Sequence, residues 1–288
     1  MIPGEFEYHA PTELGDAVAL LAKHRDEAKI LAGGQSLIPA MRFRLAIPEI
    51  LIDLNGIAGL AYLREEGSEL CIGAMTRESA LEDADFVQSR YPLLADAAAV
   101  IADPVVRNMA TVGGNIAHAD PANDHPAVML AYGATVYAEG PKGKRSIAID
   151  DFFVDLFENA LEGDEILTEV RIPAPTAGSG GAYMKLERKV GDYAVSGVAV
   201  QLVMEGEVCK EVRIGLTNVS PAPMRAKAAE QALIGKNADE AAIAAAGKAA
   251  AAECDPSGDL RGSVDYKRDM TRVLTERALR RAIERSKE

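Results

Sequence analysis

Two Gly-Gly pairs, each set among small and polar residues next to an apolar run, constrain this 288-residue chain more than any other feature. The first, Ala32-Gly33-Gly34-Gln35-Ser36, follows Lys29-Ile30-Leu31. The second, Thr111-Val112-Gly113-Gly114-Asn115, lies inside DPVVRNMATVGGNIAHADPANDHP, residues 103–126. Glycine lets the chain turn sharply and brings backbone N–H groups close to an anion, and successive N–H groups in such a turn form a nest. The Ser36 and Thr111 hydroxyls add two donors. A Gly-Gly pair is commonly just a turn, while two such pairs are also readable as two halves of one diphosphate site. Neither G-x-G-x-x-G nor G-x-x-x-x-G-K-S/T occurs, and Gly140-Pro141-Lys142-Gly143-Lys144 fails the P-loop spacing, so both of those phosphate folds are set aside.

The rest of the chain sorts into three textures. Leu14, Ala17, Leu20 and Leu21 stand at helical spacing, and runs at 29–32 and 49–54 read as strands, giving a small α/β unit around the first glycine turn. From Leu60 come short strands at 61–64 and 69–73, helical stretches starting at Thr76 and after Tyr91, a helix at 127–130, and strands at 134–139 and 166–172. PAPTAGSGG, residues 173–181, is the best linker candidate. Beyond it, strands at 182–186, 197–204 and 211–216 read as one antiparallel sheet. Helices follow at 226–233 and 238–252, with a terminal helix presenting Tyr266, Met270, Val273, Leu274 and Ala278 on one face. Residues 261–288 hold nine Lys or Arg against five Asp or Glu, a run readable as a solvated face or as a docking surface for an acidic partner.

Composition removes several function classes. A formal net charge of -13 argues against nucleic acid, because counterion release needs a basic face. Cys71, Cys209 and Cys254 are far apart and form no C-x-x-C pair, so they read as free thiols and not as ligands of a cluster or zinc. MIPGEFEYHA has no basic n-region or apolar h-region, and no apolar run reaches the roughly 18 residues of a membrane span; the expectation is a cytoplasmic protein. His118, Asp120, Asp124 and His125 are candidate metal ligands by residue type, yet Asp120-Pro121 and Asn123-Asp124 are turn formers, and the turn reading is preferred. No metal site is assigned. No nucleophile triad is readable from spacing.

The two glycine pairs, in this order and separation, resemble the FAD subunit of the molybdenum hydroxylases, in particular the aerobic carbon monoxide dehydrogenase type. The resemblance runs nearly end to end, through LAGGQSLIP (31–39), RLAIPEILIDL (44–54), IADPVVRNMATVGGNIAHADPANDHPA (101–127), YMKLERKVGDYA (183–194) and IGLTNV (214–219). It implies an α+β chain: a two-subdomain FAD-binding fold of the p-cresol methylhydroxylase type, about 1–55 and 56–177, then a C-terminal domain at 178–288 with a three-stranded antiparallel sheet and a helical bundle. It also implies roles. Ala32, Gly33, Gly34, Gln35, Ser36 and Leu37, with Thr111, Gly113, Gly114 and Asn115, would offer donors to the FAD pyrophosphate. Asp124 would accept from ribityl or ribose hydroxyls, Ile101 and Leu167 would pack on flavin or adenine, Lys185 would approach the polar edge, and Tyr193 would lie beside the isoalloxazine.

By the same resemblance, substrate is oxidised at a molybdenum cofactor on a large subunit. Electrons cross 2Fe-2S clusters on a small iron-sulfur subunit, and this FAD passes them to quinone or another acceptor, with no catalytic residue required of this chain. The family commonly has His where Gln35 stands here, which removes any role for an ionisable imidazole at that position but leaves a backbone role intact. Residues 103–150 contain no cysteine, unlike related subunits that carry a 4Fe-4S loop. Two other readings are a self-sufficient flavin oxidase and a cofactor-free scaffold subunit.

Overall fold

The computed structural model of the chain describes residues 2–288. Its N-terminal layer is a parallel sheet in the order β1-β3-β2, from β1 (Glu7–His9), β2 (Ala28–Leu31) and β3 (Ile50–Asp53). Ile50, Leu51 and Ile52 are all buried, the unbroken apolar run of a strand covered on both faces. Helix α1 (Leu14–His24) lays Ala17, Val18 and Leu21 into the same core, and α2 (Leu37–Arg42) follows the first glycine segment. Strand β1 has no signature in the sequence, because none of its three residues is buried.

The middle layer is an antiparallel sheet of order β4-β5-β10-β6-β7. It is built from β4 (Leu63–Glu66), β5 (Glu69–Gly73), β6 (Thr135–Gly140), β7 (Gly143–Ala148) and, after a small hairpin of β8 (Phe153–Asp155) and β9 (Glu158–Asn159), β10 (Ile166–Pro173). Between β5 and β6 the chain makes six helices: α3 (Glu78–Glu82), α4 (Asp85–Arg90), α5 (Pro92–Ala98), α6 (Pro104–Arg107), α7 (Val112–His118) and α8 (Asp124–Tyr132). Every residue of α8 is buried. A helix enclosed on all sides carries no polar stripe, so periodicity shows only its apolar middle, 127–130.

The C-terminal layer is a sheet of order β11-β12-β13-β14, from β11 (Ser179–Leu186), β12 (Ser196–Glu205), β13 (Val208–Thr217) and β14 (Met224–Arg225), with α9 (Lys227–Leu233), α10 (Glu240–Glu253) and α11 (Val264–Arg285). The three expected strands are present, and two-residue β14 adds an edge. The linker reading of 173–181 is corrected: β10 holds Pro173 and β11 starts at Ser179, leaving only residues 174–178 between them. Gly180 looks like linker composition but is a packing residue, since a β-carbon there would lie 2.8 Å from Ser286 N and 3.0 Å from the Ala282 carbonyl carbon.

The inward face of α11 is corrected in part, with Leu274 and Ala278 buried as expected and Tyr266 not. Lys267, Thr271, Leu274, Thr275, Ala278, Leu279 and Ala282 are buried, whereas Tyr266 is 44 % exposed. The polar members fit because Lys267 Nζ reaches Asp259 at 2.9 Å and the Thr271 and Thr275 hydroxyls donate to carbonyls one turn back. The basic run is largely solvated, with Arg277, Arg280, Arg281 and Lys287 exposed, while part of it is paired within the chain: Arg261 with Asp192, Arg280 with Glu240, and Arg281 and Arg285 with Asp96.

Candidate functional site

The three layers enclose a cleft of about 780 Å³, within the roughly 300–1,000 Å³ of small-molecule and cofactor sites. Every residue that the resemblance assigns to the cofactor lines it: Ala32 to Leu37, Ile101, Thr111, Gly113, Gly114, Asn115, Asp124, Leu167, Lys185 and Tyr193.

The first glycine segment leaves the end of β2 with Gly34 in the left-handed region at φ 74°, which glycine adopts freely. Asn55 Nδ2 donates to Ala32 O at 3.0 Å and Gln35 Nε2 to Gly33 O at 3.2 Å, which pins the carbonyls. The N–H groups of Gly33, Gly34, Gln35, Ser36 and Leu37 meet no acceptor among the described residues, and this run of free donors beside a cleft is an anion nest.

The second segment differs from what its sequence implies. It is no turn but the first turn of α7, with Thr111 as N-cap. Gly113 N donates to Ala74 O at 2.9 Å, Gly114 N to Thr111 Oγ1 at 3.2 Å and Asn115 N to Thr111 O at 2.9 Å. The expected backbone donors at Gly113, Gly114 and Asn115 are therefore already used inside the fold, because a capped helix satisfies its own first turn. The glycines serve close approach instead: a β-carbon at Gly113 would lie 2.6 Å from Ala74 Cβ, and one at Gly114 would come within 3.5 Å of Ala32 Cβ. That contact sets the two glycine segments face to face. The buried Asn115 Oδ1 has no partner among the described residues.

Past this point the wall is a buried polar network. Asp124 Oδ1 accepts from the Tyr183 hydroxyl at 2.5 Å and Oδ2 from Lys185 Nζ at 2.9 Å. Lys185 also donates to Val100 O, and Tyr183 meets Thr217 Oγ1 at 3.1 Å. Burial pushes the Asp124 carboxyl above its ordinary range, against the pull of Lys185 and Tyr183. Each oxygen keeps acceptor capacity beyond these bonds. Ile101 and Leu167 are 5 % exposed, whereas Tyr193 is 43 % exposed with the Arg261 guanidinium 5.4 Å from its ring centroid.

Sequence reasoning missed part of the wall. Asn123 donates to Asn115 O at 3.0 Å, Asn159 to Ala117 O at 2.7 Å, and Phe157, at φ 58°, meets the His118 ring at 5.1 Å. No local pattern marks the 153–159 hairpin, which reaches the cleft only through the fold. His118 and His125 go to different partners, His118 to Phe157 and His125 to Glu78.

The profile of the FAD binding domain in molybdopterin dehydrogenase matches residues 4–175, and that of the CO dehydrogenase flavoprotein C-terminal domain matches residues 181–282. The chain belongs to this flavoprotein family. It is 49 % identical to the carbon monoxide dehydrogenase medium chain of Hydrogenophaga pseudoflava, over 98 % of each chain. It is 46 % identical to the medium chain of Afipia carboxidovorans over 100 % of both. A solved carbon monoxide dehydrogenase structure from Hydrogenophaga pseudoflava superposes with a TM-score of 0.97, at 51 % identity over 99 % of each chain.

The expected α+β architecture is borne out, as is the recognition of an FAD-dependent oxidoreductase chain. The site fits FAD on its own terms. It offers free N–H groups in a nest, a glycine floor that side chains would fill, and an orphaned Asn115 Oδ1 beside a buried polar wall. Among the described residues no group of three or more His, Cys, Asp or Glu could hold a metal ion, and no helix is long and apolar enough to cross a membrane.

Proposed function

We propose that this chain is the FAD-carrying electron-transfer subunit of a carbon monoxide dehydrogenase-like molybdenum hydroxylase. In this reading its partners are an iron-sulfur subunit and a large subunit with the molybdenum cofactor, and quinone or another acceptor takes the electrons, in the cytoplasm. The observation that carries the reading is the run of free N–H groups from Gly33 to Leu37 facing the Gly113–Gly114 floor across one cleft.

Each residue then has a task. The nest holds the pyrophosphate, with the Ser36 hydroxyl as a further donor. Thr111 and Asn115 present side-chain oxygens, while Gly113 and Gly114 keep the floor low. Asp124, fixed by Tyr183 and Lys185, accepts from sugar or ribityl hydroxyls. Ile101 and Leu167 give apolar contact to the rings, and half-exposed Tyr193 covers the end nearest Arg261. When bound, FAD supplies the electron transfer itself; the protein positions it and shields it from water. No side chain of this chain is required as a proton donor or base. The FAD-binding unit spans 1–177, as subdomains 1–55 and 56–177, and the C-terminal domain spans 178–288.

The experiment is a visible spectrum of the chain purified with its partner chains, followed by anaerobic addition of carbon monoxide. The expected result is a flavin spectrum that bleaches only when the partner chains are present. A lone chain whose flavin is reduced by an organic substrate would instead identify a self-sufficient oxidase, and a complex without flavin would identify a scaffold.

A further inference from the structure

Glu78 and His125 lie outside the cleft lining and have no task in the reading so far. Both side chains are fully buried, and a Glu78 carboxylate oxygen meets His125 Nε2 at 2.6 Å. Glu78 opens α3, and His125 follows Asp124 at the start of α8. As a stability device the pair is poor. A helix N-terminus disfavours an imidazolium, and Glu78 Oε1 and His125 Nδ1 are left without partners among the described residues. A buried ion pair with unsatisfied atoms commonly stabilises no more than an apolar contact of the same shape.

What the pair does is close a ring of contacts around the second glycine segment. Residues 74–78 are tied to 110–113, with Gly113 N donating to Ala74 O at 2.9 Å, Val112 N to Thr76 O at 3.0 Å and Glu78 N to Ala110 O at 3.1 Å. Farther along, Asn123 Nδ2 donates to Asn115 O at 3.0 Å and leads into α8. The Glu78–His125 contact joins the end of this path back to its beginning. Thr111, Asn115, Asn123 and Asp124, all on the ring, face the cleft.

We infer that Glu78 and His125 are positioning residues that hold the second glycine segment and Asp124 at the spacing FAD requires, without touching the cofactor. The inference rests on the FAD reading of the cleft. Burial opposes the imidazolium, but the charge and hydrogen bond of Glu78, helped by Asp124, outweigh it and raise the His125 imidazole above its ordinary value. The groups facing this imidazole are Glu78 on α3 and Asp124 on α8, with Lys185 and Tyr183 of β11 behind Asp124. The brace is complete while the imidazole is protonated and weakens as pH rises through its raised pKa.

The test follows FAD release by flavin fluorescence, in the full chain with its partner chains, across the pH range in which imidazoles titrate. Wild type should release FAD faster as pH rises. Glu78→Gln keeps the shape but removes the charge; it should release FAD about tenfold faster on the acid side and move the step to lower pH. His24→Gln, on α1 and not part of the cleft lining, should leave the step where it is. A lowered unfolding temperature with unchanged FAD release in Glu78→Gln overturns the inference, leaving the pair a structural contact. Where the single variant fails to fold, a Glu78→Gln/His125→Gln chain and the wild-type profile decide: a flat wild-type profile overturns it, as does unaltered release from the double variant. A wild-type complex that holds no FAD at any pH overturns the FAD reading itself and the inference with it.

Discussion

At Gln35 the side chain and the backbone have different tasks. The side-chain amide closes on Gly33 O at 3.2 Å, while the main-chain N–H belongs to the free run that lines the cleft. Losing an exposed neutral hydrogen bond costs about 0.5–1.5 kcal/mol, so Gln35→Ala should change FAD affinity by about tenfold at most. Gln35→Pro removes the N–H and restricts Gly34 before it, and should weaken binding by more than about tenfold. Titration of apo complex with FAD checks this, and equal affinities would exclude the N–H as a ligand. Gly114→Asp places a carboxylate where the second segment faces Ala32, so FAD retention should fall and added salt should recover part of it. Asp124 tests the buried wall. With Asp124→Asn, Lys185, its side chain only 3 % exposed, loses the carboxylate at 2.9 Å and keeps only that of Glu187 at 3.5 Å, and stability should drop by about 1–3 kcal/mol. An Asp124→Asn/Lys185→Met chain should lose less than the two single changes summed, which a double-mutant cycle in urea measures.

At the scale of elements, legibility followed whether a segment's neighbours are local. The α1, β2 and β3 unit was readable because its apolar residues recur at helix or strand spacing and pack on one another. The first glycine segment was read correctly as a turn, since Gly34 needs its positive φ locally. The second is a capped helix start and not a turn; Thr111 caps it locally, but Ala74 and Thr76, which take up the Gly113 and Val112 N–H groups, lie some forty residues upstream. Gly180 and Gly181 read as linker for the same reason: their composition is that of a flexible segment, and only distant residues show why no side chain fits, α11 about a hundred residues later for Gly180 and Leu93 with Gln201 for Gly181. Gly180→Val should therefore act as overpacking, costing about 1–3 kcal/mol and lowering the unfolding midpoint of the C-terminal layer. If Gly180→Val unfolds like wild type, the α11–β11 contact is softer than the close approach to Ser286 N and Ala282 implies.

Across the whole molecule, Asp96 on α5 is one place where the cofactor layers and the C-terminal layer are bonded, receiving Arg281, Arg285 and the Tyr183 N–H, and Asp150 is another, receiving Arg213 and Arg225. The cleft depends on this junction, because Lys185 and Tyr193 come from the C-terminal side and the glycine segments from the other. Charge balance over the entire chain then gives a pH dependence with two limbs. Arg145 beside Glu165 and Arg261 beside Asp192 hold those carboxyls below their ordinary values. A carboxyl with a depressed native pKa stabilises the fold above its unfolded pKa, and that contribution is lost as pH falls through the native value. Asp124 runs the other way: burial raises it, so its native state favours the proton and its effect on stability falls as pH rises from the unfolded to the native value. His125 is raised as well, so its stabilisation is complete below the unfolded imidazole pKa and disappears as pH rises through the native one. The unfolding midpoint should thus decline below about pH 4, where ordinary carboxyls titrate, and again above neutrality. Glu78→Gln should abolish the alkaline decline and leave the acid one, because Glu165 and Asp192 are untouched. Scanning calorimetry over pH on both chains measures the two limbs separately, and a wild-type midpoint that stays level above neutrality would show that His125 does not hold its proton in the native state.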